Sequence, residues 1–278
     1  MLRPGNAGSN TADDHLELLD QAIAALPVDY QVGHQIEDGP ADVVHPILVR
    51  ADSAGSVHGF VRGLVEANCD FSIGYAIDGR VRDSLMLAQE EDWVQATETN
   101  GAIRNGAWVT ELTDLVNLEG WEAPGIRLIC RRERPHPGAQ LSLFDTSEGF
   151  RHTCFITNTP AQDIAVLELR HRGHARVEDR IRAWKDCGLS NLPFEGYVRN
   201  EAWVAVSLVA GALLAWTALT CLVGDLARAE PKTIRYRLLH IAGLLVRRGR
   251  SLVLRLDRTW PWAKHLADAF ASLRTAFP

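Results

Sequence analysis

The sequence predicts an α/β protein: a small parallel sheet, a β-rich insertion and a helical carboxyl-terminal tail. Three observations lead there. Two apolar runs, residues 45–51 and 71–77, flank a stretch with helical spacing at Phe60, Leu64 and Val65. A strand–helix–strand order of this kind joins parallel neighbours. Between residues 78 and 158 short apolar runs recur, separated by turn signals such as His136-Pro137-Gly138. From residue 159 onward helical spacing dominates.

Each element has a local reason. Gly5-Asn6-Ala7-Gly8-Ser9-Asn10 is a turn or loop. Thr11 followed by Asp14 reads as a helix cap, and Leu16, Leu19, Ile23 and Leu26 continue a helical period. Residues 45–51 form a buried strand ending at Asp52, and residues 53–56 turn the chain, with Ser56 as the cap of the next helix. A short helix near 82–89 precedes strands near 106–112, 126–132, 141–144 and 153–157. One long helix is expected over 161–186, stopped by Cys187-Gly188. Residues 202–224 carry no charge for 23 positions, which meets the length criterion for a membrane span and equally suits a central core helix. Basic amphipathic helices finish the chain.

Composition is ordinary for a globular protein, with 46% hydrophobic and 23% charged residues. Five scattered cysteines, an odd number, fit reduced thiols in a cytoplasm rather than a disulfide framework. No secretory signal pattern opens the chain. Charge is uneven. Residues 230–278 hold ten basic groups against Glu230, Asp257 and Asp268, a net +7, which leaves −13 elsewhere in a chain whose total is −6. A basic end on an acidic body suits a phosphate-binding arm beside a carboxylate-rich site, or a membrane-surface segment.

The most informative segment is 171–185. At helical spacing His171, His174, Glu178, Arg182 and Lys185 share one face, and Val166, Leu169, Val177, Ile181 and Trp184 line another. A carboxylate framed by cations on a rigid element can hold a metal ion beside a polyanion. The bland alternative is a solvated face with Glu178–Arg182 as an i,i+4 pair. A zinc site on His171, His174 and Glu178 is a further alternative, although no His-Glu-x-x-His or Cys-x-x-Cys run supports it.

Three stretches together resemble a known family: Leu2 to Ala12, Asp52 at its strand end in Arg50-Ala51-Asp52-Ser53-Ala54-Gly55, and His171 to Leu189. They are similar to the DDE transposases of bacterial insertion sequences, DDE group 1, insertion-sequence family 1380. In related transposases the last motif is Tyr, two residues, Arg, three residues, Glu, six residues, Lys. Here the spacing is kept through His171, His174, Glu178 and Lys185, with His in both the Tyr and the Arg slots.

The resemblance implies an RNase H-like fold with an inserted β domain, and DNA cleavage and strand transfer with two Mg²⁺ ions. Asp52 and Glu178 match the family's second and third acidic residues and would be catalytic metal ligands. His171, His174, Arg182 and Lys185 would contact DNA, the last as the family's DNA-contacting Lys. DNA is the implied partner, with a homo-oligomer in the complete family, a nucleoid-associated cytoplasmic location, and no role for a membrane, so that residues 202–224 become a core helix. The organisation expected is a partial RNase H-like core over 1–77, the β-rich insertion over 78–158, core helices carrying Glu178 over 159–228, and a basic helical tail over 229–278.

No residue here matches the family's first Asp, which precedes the Leu2–Ala12 stretch in relatives; Asp13 and Asp14 are first-turn acids of a helix. The expectation is therefore an incomplete RNase H-like fold, truncated and catalytically inactive alone. The strand before Asp52 would have an unpaired edge and an uncovered apolar face, with low solubility as the result. A non-catalytic DNA-binding remnant and a single-span membrane protein remain as rival readings.

Overall fold

The structure, a computed structural model, describes residues 11–34, 42–135, 146–147, 149–160, 163–173 and 175–276. Residues 2–10 of the first motif, the turn at 136–138, the strand expected at 141–144 and His174 lie outside the described residues. The chain forms two compact units, Gly5–Ala175 and Arg176–Pro278, each with its own apolar cluster.

The first unit runs α1 (Ala12–Ala24), α2 (Val28–Gln31), β1 (Leu48–Ala51), α3 (His58–Glu66), β2 (Asp70–Tyr75), α4 (Gly79–Leu87), β3 (Val94–Thr97), β4 (Ile103–Glu111), β5 (Arg127–Glu133), β6 (Thr146–Ser147), β7 (Phe150–Thr157) and α5 (Ile164–Arg172). Thr11 caps α1 as expected, its hydroxyl accepting from the Asp14 N–H at 3.3 Å. Ser56 does not cap α3. The cap position falls on Val57 with no side-chain bond, because Val57 is the last extended residue before the helix.

The strands form one mixed seven-stranded sheet in the order β1-β2-β7-β5-β4-β3, with β6 beside β7. β1 and β2 are parallel as expected, with Leu48 opposite Asp70 and Ala51 opposite Ile73. The strands of the insertion continue that sheet from β2, antiparallel, and do not make a separate β body. Strand alternation explains why. Phe71, Ile73, Leu128, Cys130, Cys154 and Ile156 point to one face and pack under α1 and α3 with Leu19, Ile23, Phe60 and Leu64. Ala107, Val109, Ile129 and Phe155 point to the other and meet Leu167 of α5. Both faces are apolar, so both are covered. β1 is an edge strand among the described residues. Beside it an apolar groove of about 400 Å³ is lined by Leu18, Leu19, Ile23, Leu26, Ile47 and Val49.

The helix expected over 161–186 is two helices. α5 ends at Arg172 with Gly173 as its C-cap, and α6 (Ala175–Trp184) follows. The Arg50 guanidinium on β1 donates to the Arg170 carbonyl at 3.0 Å, and its Nη1 lies 2.8 Å from where a Cβ on Gly173 would stand. Glycine thus admits a cation to the helix end, where carbonyls lack partners.

The second unit continues from α6 through a π turn (Lys185–Leu189) to α7 (Tyr197–Thr220), α8 (Pro231–Ile234), β8 (Gly243–Arg248), β9 (Ser251–Leu256) and α9 (Ala263–Ala276). Its cluster is Leu222, Leu226, Ile234, Leu238 and Ala269. Two expectations are corrected here. The tail is not helical throughout, since residues 243–256 form an antiparallel hairpin. Nor is α7 a central core helix: of its 24 residues only Asn200, Ser207 and Gly211 are buried. Ser207 and Gly211 are buried because they let neighbours approach, and Asn200 because its amide bonds the Phe194 backbone N–H and carbonyl. A Cβ on Gly211 would stand inside the Trp184 ring, and Trp203 Nε1 donates to the Gly188 carbonyl at 2.9 Å. The helix turns Val206, Leu213, Trp216 and Leu219 outward. It is long and apolar enough to cross a membrane by length and composition, with mean hydropathy 1.9.

Candidate functional site

Asp52 follows the last residue of β1 and is exposed. One carboxylate oxygen accepts from the Ala54 N–H at 3.0 Å, which starts the short turn Ser53–Gly55. That turn lies directly on β2. A Cβ on Gly74 would come within 2.8 Å of the Ser53 nitrogen, so glycine is what allows the turn to sit there. The second oxygen of Asp52 has no partner among the described residues. The side chain is therefore held at its base and open at its tip, at the carboxyl end of a parallel strand, where open α/β sheets place ligands.

Glu178 lies on the exposed first half of α6 and makes no ion pair or hydrogen bond among the described residues. Its expected partner Arg182 instead meets Asp179 at 3.2 Å and Glu230 at 3.9 Å, so the Glu178–Arg182 support pair is not formed. The Lys185 ammonium is exposed and unpaired among the described residues. His171 belongs to α5, so it does not share a helix with Glu178. Its ring stacks on Phe155, centroids 4.3 Å apart, with Nδ1 2.9 Å from the Ser72 hydroxyl. The break at Gly173 thus divides the predicted stripe. Asp52 and His171 belong to the first unit, Glu178, Arg182 and Lys185 to the second.

A feature absent from the sequence reading surrounds α5. Glu168 is 2% exposed and accepts from Arg131 at 2.8 Å and from Arg172 at 3.1 Å. These pairs close into a ring. Arg131 meets Glu133 (3.1 Å), Glu133 meets Arg104 (3.2 Å), Arg104 meets Glu98 (3.1 Å), and Glu98 returns to Arg172 (3.4 Å). Three arginines and three glutamates alternate in sign, so each charge has opposite neighbours on both sides. The ring fastens α5 to β4, β5 and the end of β3. Nearby, Arg127 forks onto both Glu111 oxygens at 2.9 and 2.6 Å. That hydrogen bonding holds the Glu111 carboxyl below its ordinary range against the opposing effect of burial, with Thr113 assisting.

Carboxylates suit hard divalent cations. Asp52 and Glu178 are both open to such an ion, and among the described residues no group of three or more His, Cys, Asp or Glu gathers into a metal cluster. Residues 1–277 match the sequence model of the family described as Transposase DDE domain group 1. The chain belongs to this family. A search among curated proteins found no match. Membership in the transposase family implies DNA transposition chemistry, with DNA as the partner, and this family typically uses divalent metals. It also suggests a cytoplasmic location.

Proposed function

We propose that this chain is a transposase of the insertion-sequence family 1380 kind, in which Asp52 and Glu178 are two of three acidic metal ligands. The observation that carries this is the Asp52 turn: a carboxylate fixed on Gly74 at the carboxyl end of β1, with one oxygen committed to the backbone and one open. The spacing from His171 to Lys185 supports the assignment of Glu178. When bound, two Mg²⁺ ions would activate the attacking oxygen and stabilise the leaving one. The chain's own residues hold the DNA. Lys185 and Arg182 meet phosphates, fixing register without reading sequence. His171, whose ring is stacked on Phe155, and His174, in the motif's second slot, would contact DNA as well. On this reading a homo-oligomer at the nucleoid carries out DNA cleavage and strand transfer at transposon ends.

We further propose that these residues alone are catalytically inactive, since none of them matches the family's first acidic ligand. The edge of β1, unpaired among the described residues, and the apolar groove beside it support this, since a further strand bearing that ligand would fit there. Under this reading α7 is covered by protein rather than lipid, as on its buried side, where Ser207 and Gly211 lie against Gly188 and Trp184. The test is a strand-transfer assay of the purified chain on a duplex carrying the element's ends with Mg²⁺. No turnover is expected. Metal-dependent turnover abolished by Asp52→Asn would leave the assignment of Asp52 standing and overturn the inactivity. Turnover unaffected by Asp52→Asn would overturn both.

A further inference from the structure

Among the described residues the hairpin β8–β9 differs from every other strand pair. It forms a sheet of its own, and Leu244, Leu245, Leu252 and Leu254 are each 59% or more exposed. Two strands of six residues reach about 20 Å at about 3.3 Å per residue. The turn is Gly249-Arg250. Gly249 has φ +62°, and among the described residues Arg250 is not in the positive-φ region, which is the pattern of a type II′ turn with glycine first. The arm is thus tightly closed, held by the cross-strand pairs Leu245–Leu254 and Val246–Val253.

Its charge is one-sided in sign but not in space. Residues 231–256 contain seven cations and no carboxylate. Arg247, Arg248, Arg250 and Arg255 are exposed and have no carboxylate partner among the described residues. By the register, Arg248 and Arg255 share one face and Arg247 lies on the other, with Arg250 at the tip. A ribbon meant to lie on a membrane or a flat protein surface would segregate an apolar face from a basic one. Here both faces mix leucine or valine with arginine. Cations on both faces and at the tip match a slot with anionic walls on both sides. The major groove of duplex DNA, about 12 Å wide, is such a slot and admits a two-stranded ribbon.

We propose that β8–β9 is an arm that enters a groove of duplex DNA, with Arg247, Arg248 and Arg250 against the phosphates. This rests on the reading of the chain as a DNA-binding transposase. The test is binding of the full chain to a random-sequence duplex of about three helical turns across a salt series, comparing wild type with R247A/R248A/R250A and R247K/R248K/R250K. Each phosphate contact contributes about 0.9 to the slope of log K against log salt, so the alanine variant should flatten it by about 2.7. Between about 50 and 200 mM salt the wild type would then lose roughly forty-fold more affinity than the alanine variant. The lysine variant should keep the wild-type slope, and unchanged melting of both variants shows that these exposed positions do not alter folding. Wild-type binding with an unchanged slope in the alanine variant overturns the arm and leaves the transposase reading standing. No DNA binding by the wild type overturns both. A flattened slope in the lysine variant also overturns the proposal, since the charges would still be present.

Discussion

Glu168→Gln is the substitution with the most to reveal about how α5 is held. The carboxylate is 2% exposed and bonded to two guanidiniums, while Arg131 and Arg172 are 13% and 21% exposed. Removing one partner of a buried ion pair costs about 3–5 kcal/mol, because the remaining charge is left uncompensated. Here Arg131 keeps Glu133 and Arg172 keeps Glu98, so the expected loss is at the lower limit, about 3 kcal/mol. For a unit of this size that is a fall in Tm of roughly 6–12 °C. Glu98→Gln is the control. Glu98 is 39% exposed, and a surface pair contributes about 0–1 kcal/mol. The assay is thermal unfolding of both variants followed by circular dichroism, with the cycle Glu168→Gln, Arg131→Met and the double variant. The single variants should each destabilise strongly, and the double variant should recover much of the loss, since a buried pair replaced by uncharged groups is often near neutral. If Glu168→Gln melts within about 2 °C of wild type, the ring does not fasten α5 and the reasoning fails.

Three other outcomes are expected. Glu111 has a depressed carboxyl pKa in the folded state, so the stability it adds is full above the ordinary carboxylate pKa and is lost as pH falls through the depressed value. Glu111→Gln should therefore lower Tm by a constant amount above the ordinary carboxylate range and flatten the acid side of the Tm–pH curve, and an unchanged acid limb would contradict the assignment. Gly74→Val pushes side-chain atoms into the Ser53 backbone, with an expected destabilisation of about 1–3 kcal/mol in chemical denaturation; full stability would show that Asp52's turn does not need this glycine. Burial, assisted by Asp70, pushes the Cys69 thiol up to about 11. Alkylation at pH 8 read by peptide mass spectrometry should label Cys187 and Cys221 before Cys69, Cys130 and Cys154, and early labelling of Cys69 would contradict its buried position.

The elements legible in the sequence were those whose local signals were unambiguous. Thr11 with Asp14 signals a helix cap, and the apolar runs before Asp52 and through Phe71–Ile73, each closed by turn residues, signal strands, of which β2 is largely buried and the edge strand β1 only half-buried. β3 leaves no alternation in the sequence, because its first two residues are exposed and acids precede it. The hairpin is not legible as such because Leu244-Leu245-Val246 and Leu252-Val253-Leu254 are short apolar runs, for which period does not separate helix from strand. Only Gly249 between two arginines marked the turn. Gly173 broke the long helix through a contact with Arg50, 123 residues earlier in the chain. Likewise the ring around Glu168 joins residues on two strands, a helix and the turn after β3, and no local spacing announces it. At the candidate site, Asp52 was legible from its strand end and Glu178 from its motif. The separation of His171 from Glu178 was not, because it depends on that same glycine.

The central claim is that Asp52 and Glu178 serve as divalent-metal ligands, and titration of the full chain with Mn²⁺ followed by electron paramagnetic resonance tests it directly. Wild type should bind Mn²⁺, and both Asp52→Asn and Glu178→Gln should weaken that binding while leaving the melting curve unchanged. Binding that survives either substitution intact would contradict the claim.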